Sequence, residues 1–289
     1  MALSQLLAPS STPEQFFRDY FLKQPLTQAG GAAHAVEWGS WSVVERLLRS
    51  PQVDVVVGRE GQAWSGDPTQ VADQARHLLD EGYTLGIRHA ERHDAMLDAL
   101  AREFAAEFAA PVNIHLYCTP ASQPGFGWHY DAEDVFILQT QGSKQWSLRK
   151  NTVNPWPLME SLPRDMRYDR ELMPLMRCTL QAGDWLYIPA GHWHRTEGGE
   201  ESISLSVGVD SVKAIDVFDF LRRRLLDDLR WRQRLPTPGA ASPLDADELT
   251  AAYQELLADL GRDLAQRISA PDFATAFIQH CRGASEPSD

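Results

Sequence analysis

Three residues in two short segments have the types and spacing to hold a metal ion. His129 and Asp131 flank Tyr130, and His194 closes the run Ile188-Pro-Ala-Gly-His-Trp-His194. In extended backbone, side chains two apart project from one face, so His129 and Asp131 can grip one ion while Tyr130 points away. Two imidazoles and a carboxylate on one side of an octahedral ion leave three positions open, a donor set that suits non-haem Fe(II) acting on oxygen. A closed structural zinc site would want four ligands, usually with thiolates among them. His194 lies 63 positions beyond Asp131 (194 − 131), so a separate strand must bring it alongside, as a barrel or sandwich would. The run Asp134-Val-Phe-Ile-Leu-Gln139 is apolar and β-prone, and predicts a strand beginning at or just after the triplet. His192 shares a strand face with His194, so spacing alone leaves either as the third ligand.

Five blocks follow one another in a telling order: Phe126-Gly-Trp-His-Tyr-Asp131, Asp134-Val-Phe-Ile-Leu-Gln139, Gly142-Ser-Lys-Gln-Trp146, Gly183-Asp-Trp-Leu-Tyr-Ile-Pro189 and His194. In them the chain resembles the JmjC-type 2-oxoglutarate oxygenases, most of all the ribosomal-oxygenase branch, which hydroxylates residues of ribosomal proteins. A similar triplet with a lysine fifteen positions after its histidine occurs in asparaginyl hydroxylases of the same superfamily. The likeness is dense over residues 111–210, thinner before and weak after. It implies a mainly β core, a double-stranded β-helix (jelly roll) of the cupin/JmjC kind, with N-terminal α/β elements and a C-terminal α-helical segment. The family pattern Pro-x-Gly-x-x-His selects His194 over His192 as the metal ligand.

The resemblance also assigns a cosubstrate site. Lys144 stands fifteen positions after His129, in a chain with only four lysines, and family members use a basic residue here to clamp the distal carboxylate of 2-oxoglutarate. Its plain alternative is a solvated lysine in the turn Gln141-Gly-Ser-Lys. Tyr117 matches a family tyrosine whose hydroxyl contacts the cosubstrate. His115 falls where some relatives carry asparagine and, by strand alternation, faces the same side as Tyr117, where it either touches 2-oxoglutarate or serves as a structural histidine. Ser202, Ser204 and Ser206 line one strand face, with Ser204 or Ser206 placed to meet the cosubstrate, although Gly208 stands where some relatives have serine.

The implied activity is that of an Fe(II)- and 2-oxoglutarate-dependent oxygenase. It would use O2 to hydroxylate a protein or peptide side chain, turning 2-oxoglutarate into succinate and CO2. N-methyl demethylation begins with the same chemistry and stays open, as do a non-catalytic cupin-like metal- or small-molecule-binding protein and a cupin enzyme needing no 2-oxoglutarate. The retained triad and Lys144 argue against the last two.

Composition bounds the rest. At 289 residues, with 43% hydrophobic and 23% charged residues, the chain is an ordinary globular protein without a transmembrane run. Its start lacks the basic n-region of a signal peptide. Cys118, Cys178 and Cys281 form neither a CxxC nor an even framework, which predicts a reducing, cytoplasmic setting. A net charge of −13 argues against a nucleic-acid surface and suits a basic substrate such as a ribosomal protein. His89 and His93 are spaced for one helix face, yet lack a third ligand or an HExxH pattern, and read as solvated.

Along the chain, Ser11-Thr-Pro-Glu14 reads as a helix start leading into Phe16-Phe-Arg-Asp-Tyr-Phe21. Trp38 to Leu48, Pro68 to Asp80 and Asp94 to Ala109 read as helices, with a strand at Val53–Val57. Asn151 to Pro174 is too irregular for a strand and long for a hairpin loop, and its Trp156 and Met159 either line an opening or fill space beneath the loop. Val217, Phe218, Phe220, Leu221, Leu225 and Leu229 predict one helix, carrying Arg222–Arg224, Asp227, Asp228, Arg230, Arg232 and Arg234. Leu249 to Ile268 predicts a second, after the linker Pro236–Pro243. The expected domains are an oxygenase domain over 1–212 and a helical segment over 213–289, which the resemblance assigns to homodimerisation.

Overall fold

Strands rich in β-branched and aromatic residues dominate the middle of the chain, and helices frame them on both sides in sequence. The computed structural model describes residues 3–59, 62–121, 123, 127–162, 168, 171–197, 199–239 and 242–284. Phe126 of the first motif block, Ala240 and Ala241 of the linker, and parts of the 151–174 segment lie outside the described residues. The elements are α1 (Leu3–Leu7), α2 (Pro13–Asp19), β1 (Leu26–Gln28), α3 (Trp41–Leu48), β2 (Asp54–Arg59), β3 (Gln62–Ala63), α4 (Val71–Asp80), β4 (Thr84–Arg88), α5 (Ala95–Phe108), β5 (Val112–Thr119) and β6 (Asp134–Gln141). They continue as β7 (Ser143–Arg149), β8 (Met176–Gln181), β9 (Trp185–Ile188), β10 (Trp193–Glu197), β11 (Ser202–Val209), α6 (Asp216–Leu225), α7 (Ala246–Ile268) and α8 (Phe273–Ala284). The chain divides into two compact units, Met1–Ser211 and Val212–Asp289.

In the first unit, eight strands form a sheet in the order β1-β9-β6-β11-β5-β4-β2-β3, and three form a second in the order β10-β7-β8. The described ladders are antiparallel. This is the double-stranded β-helix expected, extended at one edge by β2, β3 and β4. The central strand β6 explains the packing. Phe136 and Leu138 join Trp185, Tyr187, Leu205 and Val207 in a layer with Phe16, Leu47, Leu78, Leu97 and Phe104 from the helices. Val135 and Ile137 face the opposite way, onto Trp146, Leu148, Leu180, Leu186 and Ile188. A strand covered on both faces needs apolar residues at both parities, which is why 135–138 reads as an unbroken run. Truncating Phe136 to alanine removes the centre of the helix-facing layer and costs about 3–5 kcal/mol.

Local chemistry sets the helix ends. Thr12 caps α2 by accepting the Gln15 N–H, with Pro13 at the first position, and Asp94 caps α5 by accepting the Met96 and Leu97 amides. The single helix expected from Trp38 to Leu48 is instead a 3-10 turn over Ala33–Gly39, a break at extended Ser40, and α3. His89 adopts a left-handed conformation ahead of a 3-10 turn over Ala90–Arg92, so His89 and His93 do not share a helix face.

In the second unit α6 stops at Leu225, so Leu229, Asp227, Asp228, Arg230, Arg232 and Arg234 lie beyond it, against expectation. Two of those charges make tertiary pairs, Asp228 with Arg267 and Arg230 with Asp263, and Trp231 Nε1–H donates to Asp263 at 2.7 Å, while Asp227, Arg232 and Arg234 are exposed. The third helix, α8, was not expected. It stacks Phe273, Phe277 and His280 on the Phe220 ring at 5.5, 5.5 and 5.1 Å between centroids. Residues of α7 are none of them buried within the chain. No described helix is long and apolar enough to cross a membrane.

Candidate active site

His129 and Asp131 do not ride on a continuous strand. His129 forms an isolated antiparallel bridge with His194 of β10, and Asp131 follows in extended chain before β6 begins. Alternation nevertheless holds across the triplet. Tyr130 is buried on the opposite side, edge-on to Trp193 at 4.7 Å, and its hydroxyl accepts the Asn154 amide N–H at 3.2 Å.

One donor atom from each of His129, Asp131 and His194 lies within 4.8 Å of the others, which is the spacing of a metal cage. Both imidazoles are fixed in one tautomer. A carbonyl only accepts, so His129 Nδ1–H donates to Gly127 O at 2.7 Å and His194 Nδ1–H donates to His192 O at 3.0 Å. Each ring therefore leaves Nε2 as its ligand atom, the arrangement that prepares a histidine to bind a cation once the proton that His194 donates to Asp131 is displaced. His194 Nε2 lies 3.3 Å from Asp131 Oδ2. Burial and the neighbouring His194 push the His129 imidazole down to about 4. Burial would raise the Asp131 carboxyl, yet the His194 hydrogen bond and the adjacent imidazoles hold it at about 2. Burial likewise opposes the charged form of His194, which Asp131 outweighs, so that group is raised. His192 is buried outside this cluster, its ring driven down to about 4 by desolvation, and contributes its carbonyl to orient His194.

The cluster opens on a cavity of about 90 Å³ between the two sheets. Lys144 projects into it from β7, only 5% exposed, and its ammonium donates to Ser204 Oγ at 3.2 Å. Burial pulls this amine down to about 8. An ammonium so placed, with one neutral hydroxyl as hydrogen-bond partner, is the feature of an anion site awaiting its charge. Tyr117, Ser204 and Ser206 also line the cavity. A Cβ on Gly86, opposite Tyr117 in the β4 ladder, would stand 3.0 Å from the Tyr117 ring, so this glycine gives the ring its room. His115 does not line the cavity: its Nδ1 accepts the His89 backbone N–H at 3.1 Å.

Thr84, Thr119, Val135, Ile137, Trp146 and Thr196 complete the lining and were not picked out from the sequence. Thr119 sits two after Tyr117 and Thr196 two after His194, so strand alternation applied from those residues would have found both. Thr84 comes from β4, whose place beside β5 has no local signal.

The segment after β7 braces the site from outside. Trp128 stacks on Tyr168 at 3.9 Å and 3°, Arg195 covers the other Trp128 face at 5.0 Å, and Arg149 covers Tyr168 at 5.1 Å. Trp156 and Met159 are 88% and 56% exposed, so they neither fill space beneath this segment nor line the cavity.

Residues 88–217 match the family model described as the JmjC domain. This chain carries a JmjC domain. Its JmjC double-stranded β-helix contains His129, Asp131, Lys144 and His194 within the matched stretch. The chain is 28% identical over 262 residues to Ribosomal oxygenase 1 of Gallus gallus, covering 80% of this chain and 41% of that protein. It is 28% identical over 296 residues to Ribosomal oxygenase 2 of Mus musculus, covering 92% and 62%. It is 24% identical over 217 residues to the bifunctional lysine-specific demethylase and histidyl-hydroxylase NO66 of Culex quinquefasciatus, covering 71% and 34%. The chain thus spans less than two thirds of each of these relatives. Among solved structures it is similar in fold to YcfD of E. coli, at a TM-score of 0.62 and 20% identity over 91% of this chain and 69% of that one. A second YcfD structure, in complex with cobalt and 2-oxoglutarate, gives a TM-score of 0.60 at 20% identity over 90% and 67%.

Proposed function

We propose that this JmjC protein is an Fe(II)- and 2-oxoglutarate-dependent oxygenase that hydroxylates a protein or peptide side chain, forming succinate and CO2. The observation that carries it is the pairing of a His129–Asp131–His194 cluster with the buried Lys144 ammonium in one cavity. The donor set fits the metal: two imidazole Nε2 atoms, that of His194 giving up its proton as the metal enters, and an ionised carboxylate are hard-to-borderline ligands suited to Fe(II). The lysine and hydroxyls fit the dicarboxylate. His129, Asp131 and His194 hold the iron; Lys144, with Ser204 and Tyr117, holds the distal carboxylate of 2-oxoglutarate. Bound iron and 2-oxoglutarate supply the activation of O2 and the insertion of one oxygen atom into a C–H bond.

The chain's own share is orientation and shelter. Gly127 O and His192 O fix the imidazoles, Lys144 fixes the far end of the cosubstrate by charge, and Val135, Ile137 and Trp146 keep the cavity wall dry. His115 acts as a structural acceptor for the His89 amide. The relatives named ribosomal oxygenase and histidyl-hydroxylase, together with a net charge of −13, favour a basic ribosomal protein as substrate and no nucleic-acid partner. A lysine demethylase reading remains beside it because NO66 is described with both activities. The second unit, whose α7 buries nothing within the chain, is proposed to self-associate into a homodimer, and the protein is proposed to work in the cytoplasm.

The test is succinate formation from 2-oxoglutarate by the purified protein with Fe(II), alongside mass spectrometry of candidate ribosomal proteins. A gain of one oxygen supports hydroxylation, loss of a methyl supports demethylation, and no 2-oxoglutarate turnover with any of them overturns the proposal. Sedimentation of the full chain reads the dimer.

A further inference from the structure

Asp134 opens β6 three residues after Asp131, and it is wholly buried. One of its carboxylate oxygens accepts the Tyr187 hydroxyl at 2.5 Å and the Ala190 N–H at 3.3 Å, and the other accepts the Ser211 hydroxyl at 2.6 Å. The Tyr187 oxygen in turn accepts the Leu22 N–H at 2.9 Å. A carboxylate this deep is costly unless donors surround it, and here they come from two segments: the end of β9 with its link to β10, which supplies Tyr187 and Ala190, and the chain after β11, which supplies Ser211. One of those segments is the link between β9 and β10 that delivers His194. Its next amide, Gly191 N–H, donates to the Asp131 carbonyl at 2.8 Å. Consecutive amides of the link are therefore gripped by two residues of one short stretch, Asp131 through its backbone and Asp134 through its side chain. Gly191 itself holds a left-handed φ of +77°, and a Cβ there would meet Pro155 O at 2.7 Å, so the link has little freedom to find another path.

We propose that Asp134 is a positioning residue for the metal cluster: by holding Ala190 it sets the Gly191–Asp131 bond and so the placement of His194 against Asp131. This rests on the reading of His129, Asp131 and His194 as metal ligands. Ser211 serves the same carboxylate but lies off the route to His194, so it separates positioning from general stability.

The experiment compares Asp134→Asn with Ser211→Ala. Hydrogen exchange of the Gly191 amide is read in metal-free protein by NMR, and Co(II) affinity is read by titration of its visible absorption. Asp134→Asn is expected to speed Gly191 exchange and weaken Co(II) binding, each on the order of tenfold, as loss of an outer-shell partner does. Ser211→Ala is expected to lower the melting temperature while leaving both readouts near wild type. Should Asp134→Asn not fold, Asp134→Glu, which keeps the charge and moves the oxygens by one methylene, must show the same selective loss. Either folded Asp134 variant with wild-type Gly191 protection and Co(II) affinity overturns the proposal. Wild-type protein that binds no Co(II) would instead sink the metal reading, and Gly191 exchange would still decide the role of Asp134.

Discussion

His129 and His194 exchange both of their backbone hydrogen bonds, at 3.1 and 2.8 Å, and their rings lie 4.2 Å apart. A two-bond bridge between the ligands themselves means that main chain, and not side-chain packing, fixes the distance between the two imidazoles. The ligand side chains are then replaceable without loss of the frame that holds them.

From this comes the first expectation. His129→Ala and Asp131→Ala fold with melting temperatures near wild type, since neither change removes a ladder bond, yet both abolish Fe(II)-dependent succinate formation. Wild-type turnover in either variant, with iron content verified, would remove the cluster from the mechanism.

His192 gives a control of matching residue type. Its carbonyl orients His194 and its ring stands outside the cluster, so His192→Asn should bind Co(II) within a few-fold of wild type, whereas His194→Asn should lose it. Equal losses in the two variants would show that both rings ligate.

Lys144 sets a pH dependence whose sign follows from its environment. Its amine lies at about 8 in the folded protein against 10.5 ordinarily, because burial disfavours the ammonium. The folded state therefore binds fewer protons than the unfolded chain between those values, and unliganded stability should rise with pH across that window. The charge that recruits 2-oxoglutarate is lost over the same window, so the KM for 2-oxoglutarate should climb above about pH 8. Lys144→Met should be more stable without ligand, by about 1–3 kcal/mol, and should weaken 2-oxoglutarate on the order of a hundredfold. Calorimetry and KM against pH check both halves.

At Gly191 the expected cost is conformational. Gly191→Ala combines a left-handed φ with a contact against Pro155 O and should lose about 1–3 kcal/mol, read as a fall in melting temperature, together with weaker Co(II) binding. Unchanged metal affinity would mean the link between β9 and β10 relaxes without disturbing His194.

Much of this site was legible because its determinants are local. His129 and Asp131 are two apart and Ser204 alternates with core residues, so period-two reasoning reached them, whereas Lys144, just inside β7, was reached through the family resemblance. The choice of His194 over His192 needed the family pattern, since both parities match. His115 misled because sharing a strand face with Tyr117 does not carry it past the His89 turn into the cavity. Thr84 was beyond reach: nothing in its own neighbourhood says that β4 lies beside β5, a pairing fixed by tertiary packing. In the second unit, Leu229 continued the periodicity of α6 by chance, while Asp228 was drawn instead into its pair with Arg267. Phe273 and Phe277, four apart, gave too narrow a stripe to announce α8 without knowledge that Phe220 would receive them.

The buried Lys144 ammonium that lines the cavity bears on stability as well as on the reaction. A protein that carries an unmatched interior charge is weakest when empty, and an incoming dicarboxylate cancels that weakness in proportion to its concentration. At a free concentration about a hundredfold above its dissociation constant, such a ligand adds about 2.7 kcal/mol to the folded state. If 2-oxoglutarate is that ligand, as proposed, the heat stability of the protein is tied to the 2-oxoglutarate concentration around it.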